Sequence, residues 1–201
     1  MKSILIFSSI YLSLSLGCSS LDKKEEGSTT FGHEFNPDTY ADVIERWTDR
    51  KIGYSGFYNA FEFHVTYLNT EVREASKRYQ AGYLQWSQEK LQSELKKVMD
   101  ELSYDTYFFL SFFTPNLKDN NLGKKSTVWN VYLDANGRRY EGTVIKNTDE
   151  FPELVRLYPY HNRWSTPYIV KFRLPSTIAQ SGSIKFTLAG PMGTAEVAFP
   201  K

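Results

Sequence analysis

The stretch that most constrains this chain is residues 104–115, YDTYFFLSFFTP, where large apolar side chains occupy both parities of an extended run. A strand with only one covered face alternates apolar and polar residues; one that is apolar on both needs a packing layer on each side. The chain must therefore supply partners for two faces of one central strand. Several other stretches alternate cleanly. Over 54–68, YSGFYNAFEFHVTYL, the residues Phe57, Phe61, Phe63, Val65 and Tyr67 share one parity, and PYIVKFRLP (167–175), SIKFTLAG (183–190) and GTAEVAFP (193–200) do the same. Tight turns join them. Asp134-Ala135-Asn136-Gly137 divides STVWNVYLDANGRRYEGTVI (126–145) into two strands, and Gly190-Pro191-Met192-Gly193 links the last pair. The Asp-x-Asn-Gly string lacks the glycine and glutamate placement of a calcium loop, since position twelve would be Lys146.

Helical signals are fewer. Tyr40, Val43, Ile44 and Trp47 are spaced by three and four, predicting a short helix over 39–49 entered from Asp38 or Thr39. From about 70 to 102 there is no proline and only one glycine, and the apolar stripe runs through Val72, Tyr79, Leu91, Leu95, Val98 and Leu102. One long helix is expected there, its stripe lying on the domain's own sheet; a coiled-coil dimer is the alternative. The fold class expected is mainly β: an antiparallel, immunoglobulin-like β-sandwich of about seven strands, with that helix inserted after the first strand. A single domain over 38–201 accounts for the pattern.

The N-terminus has a different character. Lys2 precedes ILIFSSIYLSLSL, 13 apolar and small residues, too short for a membrane span of roughly 20 and laid out as a secretory signal over 1–17. Directly behind it lies Cys18, the one cysteine of the chain, so no internal disulfide or cysteine metal site is available. Ser15, Leu16, Gly17 and Cys18 resemble the lipobox of bacterial lipoproteins, with Ser15 where that family usually has leucine. The resemblance covers about the first twenty residues. It implies cleavage before Cys18, attachment of diacylglycerol to its thiol, acylation of the new amine by a fatty acid such as palmitate, and, with Ser19 following, residence in the outer membrane. Residues 18–37 are polar and read as a tether.

Charge excludes one class of partner. The chain has 24 Lys plus Arg against 23 Asp plus Glu, and no basic stripe suited to a nucleic acid. No metal or other cofactor is expected, since neither HExxH nor a glycine-rich phosphate loop is present, and no G-x-S-x-G elbow marks a nucleophile. His33 lies in the tether, His161 in a loop, and His64 should face solvent from its strand with Glu62 and Thr66. The densest functional signal is LYPYHNRWSTPY (157–168). Its Tyr158, Tyr160, His161, Arg163 and Trp164 mix rigid rings with polar donors, as a protein or sugar partner is often met. The competing reading folds Tyr158, Trp164 and Tyr168 inward to close the sandwich. The expected function is a lipid-anchored envelope protein that binds, assembles or scaffolds, with a protein or glycan partner. The alternatives are glycan recognition by the 157–168 loop and a hydrolase of envelope polymers, the latter needing two converging carboxylates of the kind Glu62, Asp105 and Asp134 would supply.

Overall fold

The computed structural model of the protein describes residues 37–200; the signal segment, Cys18, His33 and the tether up to residue 36 lie outside the described residues. The elements in chain order are α1 (Pro37–Arg46), β1 (Thr48–Ser55), β2 (Tyr58–Tyr67), α2 (Thr70–Leu84), α3 (Gln88–Leu102), β3 (Thr106–Phe113), β4 (Asn130–Ala135), β5 (Arg138–Glu141), β6 (Thr143–Lys146), α4 (Phe151–Leu157), β7 (Thr166–Phe172), α5 (Ser176–Gln180), β8 (Ile184–Gly190) and β9 (Gly193–Phe199). The strands form two antiparallel sheets, ordered β1-β2-β3-β7-β6 and β5-β4-β8-β9. Among the described residues five strands against four, nine in all, replace the about seven expected, and the orders differ from the four-against-three layout of a seven-stranded immunoglobulin domain.

The central strand answers the question its sequence posed. β3 lies in the middle of the five-stranded sheet, and Phe108, Leu110 and Phe112 enter the core shared with the second sheet. There they meet Phe61, Phe63 and Val65 of β2, Val170 and Phe172 of β7, and Phe186, Leu188, Val197 and Phe199 from the facing sheet. Phe109 points the other way, into a second cluster with Tyr40, Val43 and Ile44 of α1, Val72 of α2, and Leu154, Leu157 and Tyr158 at α4. The five-stranded sheet is thus covered by a sheet on one face and by helices on the other.

Three expectations change at the level of elements. First, the strand over 54–68 is β2 together with a turn and the end of β1, a strand whose sequence TDRKIGYS has no clean alternation because it is a sheet edge with mixed burial. Phe57 leaves the shared parity and sits in the turn, fully exposed. Second, the helix over 70–102 is two helices. Gln85 adopts the left-handed conformation (φ 53°) that ends α2, and Ser87 caps α3 by accepting from the Lys90 N–H at 3.2 Å. The α3 stripe, Leu91, Val98 and Leu102, is buried, and α3 packs on α2 rather than on the sheet. Arg73 pairs with Glu101 between these helices, and Lys77 pairs with Glu94 at 3.4 Å. Third, the helix near 39–49 begins earlier, at Pro37, and ends at Arg46, with Thr48 and Asp49 already in β1.

The two hairpins read from turn residues form as expected. Asn136 and Gly137 take positive φ (49° and 72°) between β4 and β5, and Gly190 pairs with Gly193 between β8 and β9. The strand after the first turn, however, divides at Gly142. Its N–H donates to the Val131 carbonyl at 2.8 Å in one sheet, and the next residue, Thr143, pairs with Lys171 in the other. A Cβ at this crossing would lie 2.9 Å from Val170 and from Phe172, so only glycine fits without displacing the core.

Candidate functional site

The helix-covered face of the five-stranded sheet can be read off its registers. One row of outward side chains runs Thr48, Thr66, Phe109 and Ile169; the next runs Arg50, His64, Ser111 and Pro167. Tyr158, Tyr160 and His161 follow the end of α4 and are laid down on these two rows. Tyr158 is buried and stacks on Phe109, with ring centroids 3.6 Å apart and 3° between planes. Tyr160 stacks on His64 at 4.9 Å and 13°, and its hydroxyl shares a hydrogen bond with Thr66, which shares another with Thr48 at 2.6 Å. His161, 4% exposed, shares a hydrogen bond of 2.8 Å between its Nδ1 and Ser111 Oγ.

The loop is therefore split. Tyr158, Tyr160 and His161 anchor it, while Arg163 and Trp164 stay exposed. Arg163 lies over the Phe151 ring at 5.5 Å. Asn162 shapes the exposed part, its Oδ1 accepting from the Trp164 N–H at 2.9 Å and from the Ser165 N–H at 3.2 Å. The inward reading holds for Tyr158 and for Tyr168, a core residue of β7; it fails for Trp164, which is 78% exposed.

His64 is not a solvated strand histidine. It is half-buried beneath Tyr160 because the neighbouring loop covers its face. Burial lowers its pKa; the Glu62 carboxylate opposes that and Arg50 adds to it, so the imidazole is neutral near pH 7. The Tyr160 phenol is pushed well above its ordinary range, mainly by burial, and stays protonated. Together the stacked rings of His64 and Tyr160 make an uncharged aromatic shelf.

This shelf lines a cleft of about 480 Å³. Ala41, Ile44 and Glu45 of α1 form one wall, and Thr48, Asp49 and Arg50 at the start of β1 form another. Arg50 Nε contacts Glu62 Oε1 at 2.7 Å, and Asp49 Oδ1 accepts from the Arg50 backbone N–H at 2.7 Å. The lining thus offers apolar wall, stacking surface and a fixed guanidinium with carboxylates beside it. Sequence reading missed Asp49 and Arg50 because edge strand β1 itself gave no periodic signal, and Glu45 because it lies off the apolar stripe by which α1 was read. Among the described residues, no three or more His, Cys, Asp or Glu side chains are grouped to hold a metal ion.

The pairing of Ser111 with His161 has the composition of a nucleophile and its base. Ser111 is 1% exposed in the middle of β3 and His161 4% exposed above it. No substrate carbonyl can approach that hydroxyl without unpacking the loop, and the pair functions as a buried tie. Of the carboxylates considered from sequence, Glu62 is paired with Arg50, Asp105 with Lys171 at 3.0 Å, and Asp134 with Arg139 at 2.8 Å. They lie on separate strands or turns, each with its own cation.

No protein-family model, curated protein or solved structure matches the chain.

Proposed function

We propose that this protein is a lipid-anchored component of the bacterial cell envelope whose folded domain binds a partner without catalysing a reaction on it. The observation that carries the binding part is the stacked His64–Tyr160 shelf, open to a cleft of about 480 Å³, with the Tyr160 hydroxyl held in place by the Thr48–Thr66–Tyr160 hydrogen bonds. A rigid aromatic surface with a charged rim gives contact area at little entropic cost, and fixed polar groups set orientation. The anchoring part rests on the lipobox-like stretch Ser15–Cys18 behind an apolar segment. In this reading lipid at Cys18 holds the chain to a leaflet, the acyl chains themselves supplying the anchorage, and the polar residues up to 36 give the domain its reach.

The partner is an envelope protein or glycan, and the shelf favours a glycan as the second reading. A pyranose ring can lie against the His64–Tyr160 stack where it lines the cleft, while its hydroxyls reach Arg50, Asp49 and Glu45. Retention of the protein on isolated cell-wall polysaccharide is the test. Saturable binding that falls at least about tenfold in Tyr160→Ala and in Arg50→Ala supports the cleft; binding lost only in Trp164→Ala relocates it to the loop tip. No retention by the wild-type protein sinks the glycan reading, and in-cell crosslinking then tests for a protein partner. Radiolabelled fatty acid persisting on a Cys18→Ala chain would falsify the anchor.

A further inference from the structure

One end of the five-stranded sheet gathers side chains that the core and the cleft do not use. The β1–β2 turn is at this end, and Thr114 Oγ1, just after β3, donates to the Ala60 carbonyl at 3.0 Å close to that turn. Thr166 at the start of β7 pairs with Phe112 near the end of β3, and Asn120 Nδ2 reaches Thr166 Oγ1 at 2.8 Å, so residues 114–122 and 162–165 arrive there too. Five of the eleven exposed large hydrophobic residues among those described lie on these three segments: Tyr54, Phe57, Tyr58, Leu117 and Trp164. Phe57 is 102% exposed beside Gly56, whose φ of +61° shapes the turn. It touches nothing of its own domain and projects as a wedge.

Charge says what this end meets. Lys118, Lys124 and Lys125 follow Leu117 within nine residues, are exposed, and make no ion pair among the described residues. Asp119, the one acid among them, is held by Asn116 Nδ2 at 2.6 Å. Protruding Phe, amphipathic Tyr and Trp, and unpaired lysines are the elements of an interfacial membrane contact: the rings enter the headgroup layer and the ammonium groups meet anionic lipid.

We infer that this end of the domain, led by Phe57 and Trp164, with Lys118 on the segment after β3 and Lys124 and Lys125 next along the chain, docks on the surface of an anionic lipid bilayer. The contact is separate from the His64–Tyr160 cleft and does not require acylation of Cys18. Where the chain is also lipid-anchored, the short stretch between Cys18 and the described domain keeps the domain near the bilayer, and a weak surface contact is then enough to orient it.

The test uses the full chain with Cys18→Ala and Phe57→Cys, carrying an environment-sensitive fluorophore on the single thiol, and a control label at exposed Lys96→Cys on α3. With phosphatidylglycerol–phosphatidylcholine vesicles, the label at 57 should shift to the blue and be quenched by brominated lipid, while the label at 96 should not. Reversing Lys118, Lys124 and Lys125 to Glu, or using phosphatidylcholine alone, should weaken the response at least about tenfold, since each lysine near an anionic surface is worth about fivefold. A label at 57 that stays solvent-exposed on chains co-sedimenting with vesicles overturns docking and leaves the anchor reading standing. A shift that appears without vesicles as protein concentration rises also overturns it, in favour of a second copy of the chain.

Discussion

The buried tie between Ser111 and His161 makes a prediction that separates a structural role from a chemical one. Ser111→Ala removes one hydroxyl and leaves His161 Nδ1, in a side chain 4% exposed, without its partner. An orphaned buried acceptor or donor costs about 1–3 kcal/mol. His161→Ala loses the same bond and also the ring, which stands edge-on to Phe109 and tilted against Phe151, both at 5.9 Å. By the scale of large-to-small changes in a core, about 2–4 kcal/mol follows. Because the two share one bond, the double variant should cost less than the two singles together, by about 1–2 kcal/mol. Urea unfolding followed by tryptophan fluorescence gives these values from the shift in midpoint at constant slope. There is a pH signature as well. Burial lowers the His161 pKa below its ordinary 6.5, so the unfolded chain binds the extra proton first as pH falls. Stability from this group is complete above about pH 6.5 and declines below it, toward the lowered folded value. Wild-type protein should therefore lose stability as pH falls below about 6.5, and His161→Ala should lose less. His64, lowered the same way, contributes a separate share that His64→Ala removes. Strictly additive single and double variants, or a pH slope unchanged in His161→Ala, would refute the tie.

The remaining expectations concern the frame around the site. Ser87→Ala should cost about 1 kcal/mol in urea unfolding by uncapping α3, and Asn69→Ala should cost about as much or more, since Asn69 is buried and accepts from the Val72 N–H at 2.9 Å. Gly142→Ala should destabilise by about 1–3 kcal/mol, because its Cβ collides with Val170 and Phe172 where the chain changes sheets. The Glu94 carboxylate, held by Lys97, Lys90 and Lys77, is pulled down to about 2. Its contribution is present above about pH 4.5 and lost as pH falls toward 2; Glu94→Gln should flatten that part of the acid-stability curve, by less than about 1 kcal/mol given the exposure of Lys90 and Lys97.

What the sequence disclosed follows from where each residue's partners lie. β3 and the strands facing the second sheet were legible because their partners impose a period of two, or apolarity on both parities, directly on the chain. The Asn136-Gly137 turn was legible because positive φ is demanded locally. The break in the helical run was not, because Gln85 is an ordinary helix former whose left-handed φ is imposed by the turn of α3 back on α2. Gly142 hid for a similar reason: its crossing is required by Val170 and Phe172, which lie about thirty residues further along.

The site was half legible, and the boundary is physical. Ring-rich composition marked 157–168, but composition does not say which rings face down. That depends on the outer rows of the sheet, where Phe109 accepts Tyr158, His64 accepts Tyr160 and Ser111 accepts His161. Once those three positions are taken, the loop has no inward place left for Trp164, and Asn162 turns the backbone so that it faces solvent. The alternation that made His64 look outward was correct about its face and silent about what covers that face. A cover supplied from about a hundred residues away turns a strand histidine into the floor of a cleft, and the same row carries Arg50 to its rim. The site is therefore a property of two adjacent registers, and the variants that discriminate its readings are those that empty one register position at a time: Tyr160→Ala above His64, Arg50→Ala beside it, and Trp164→Ala outside both.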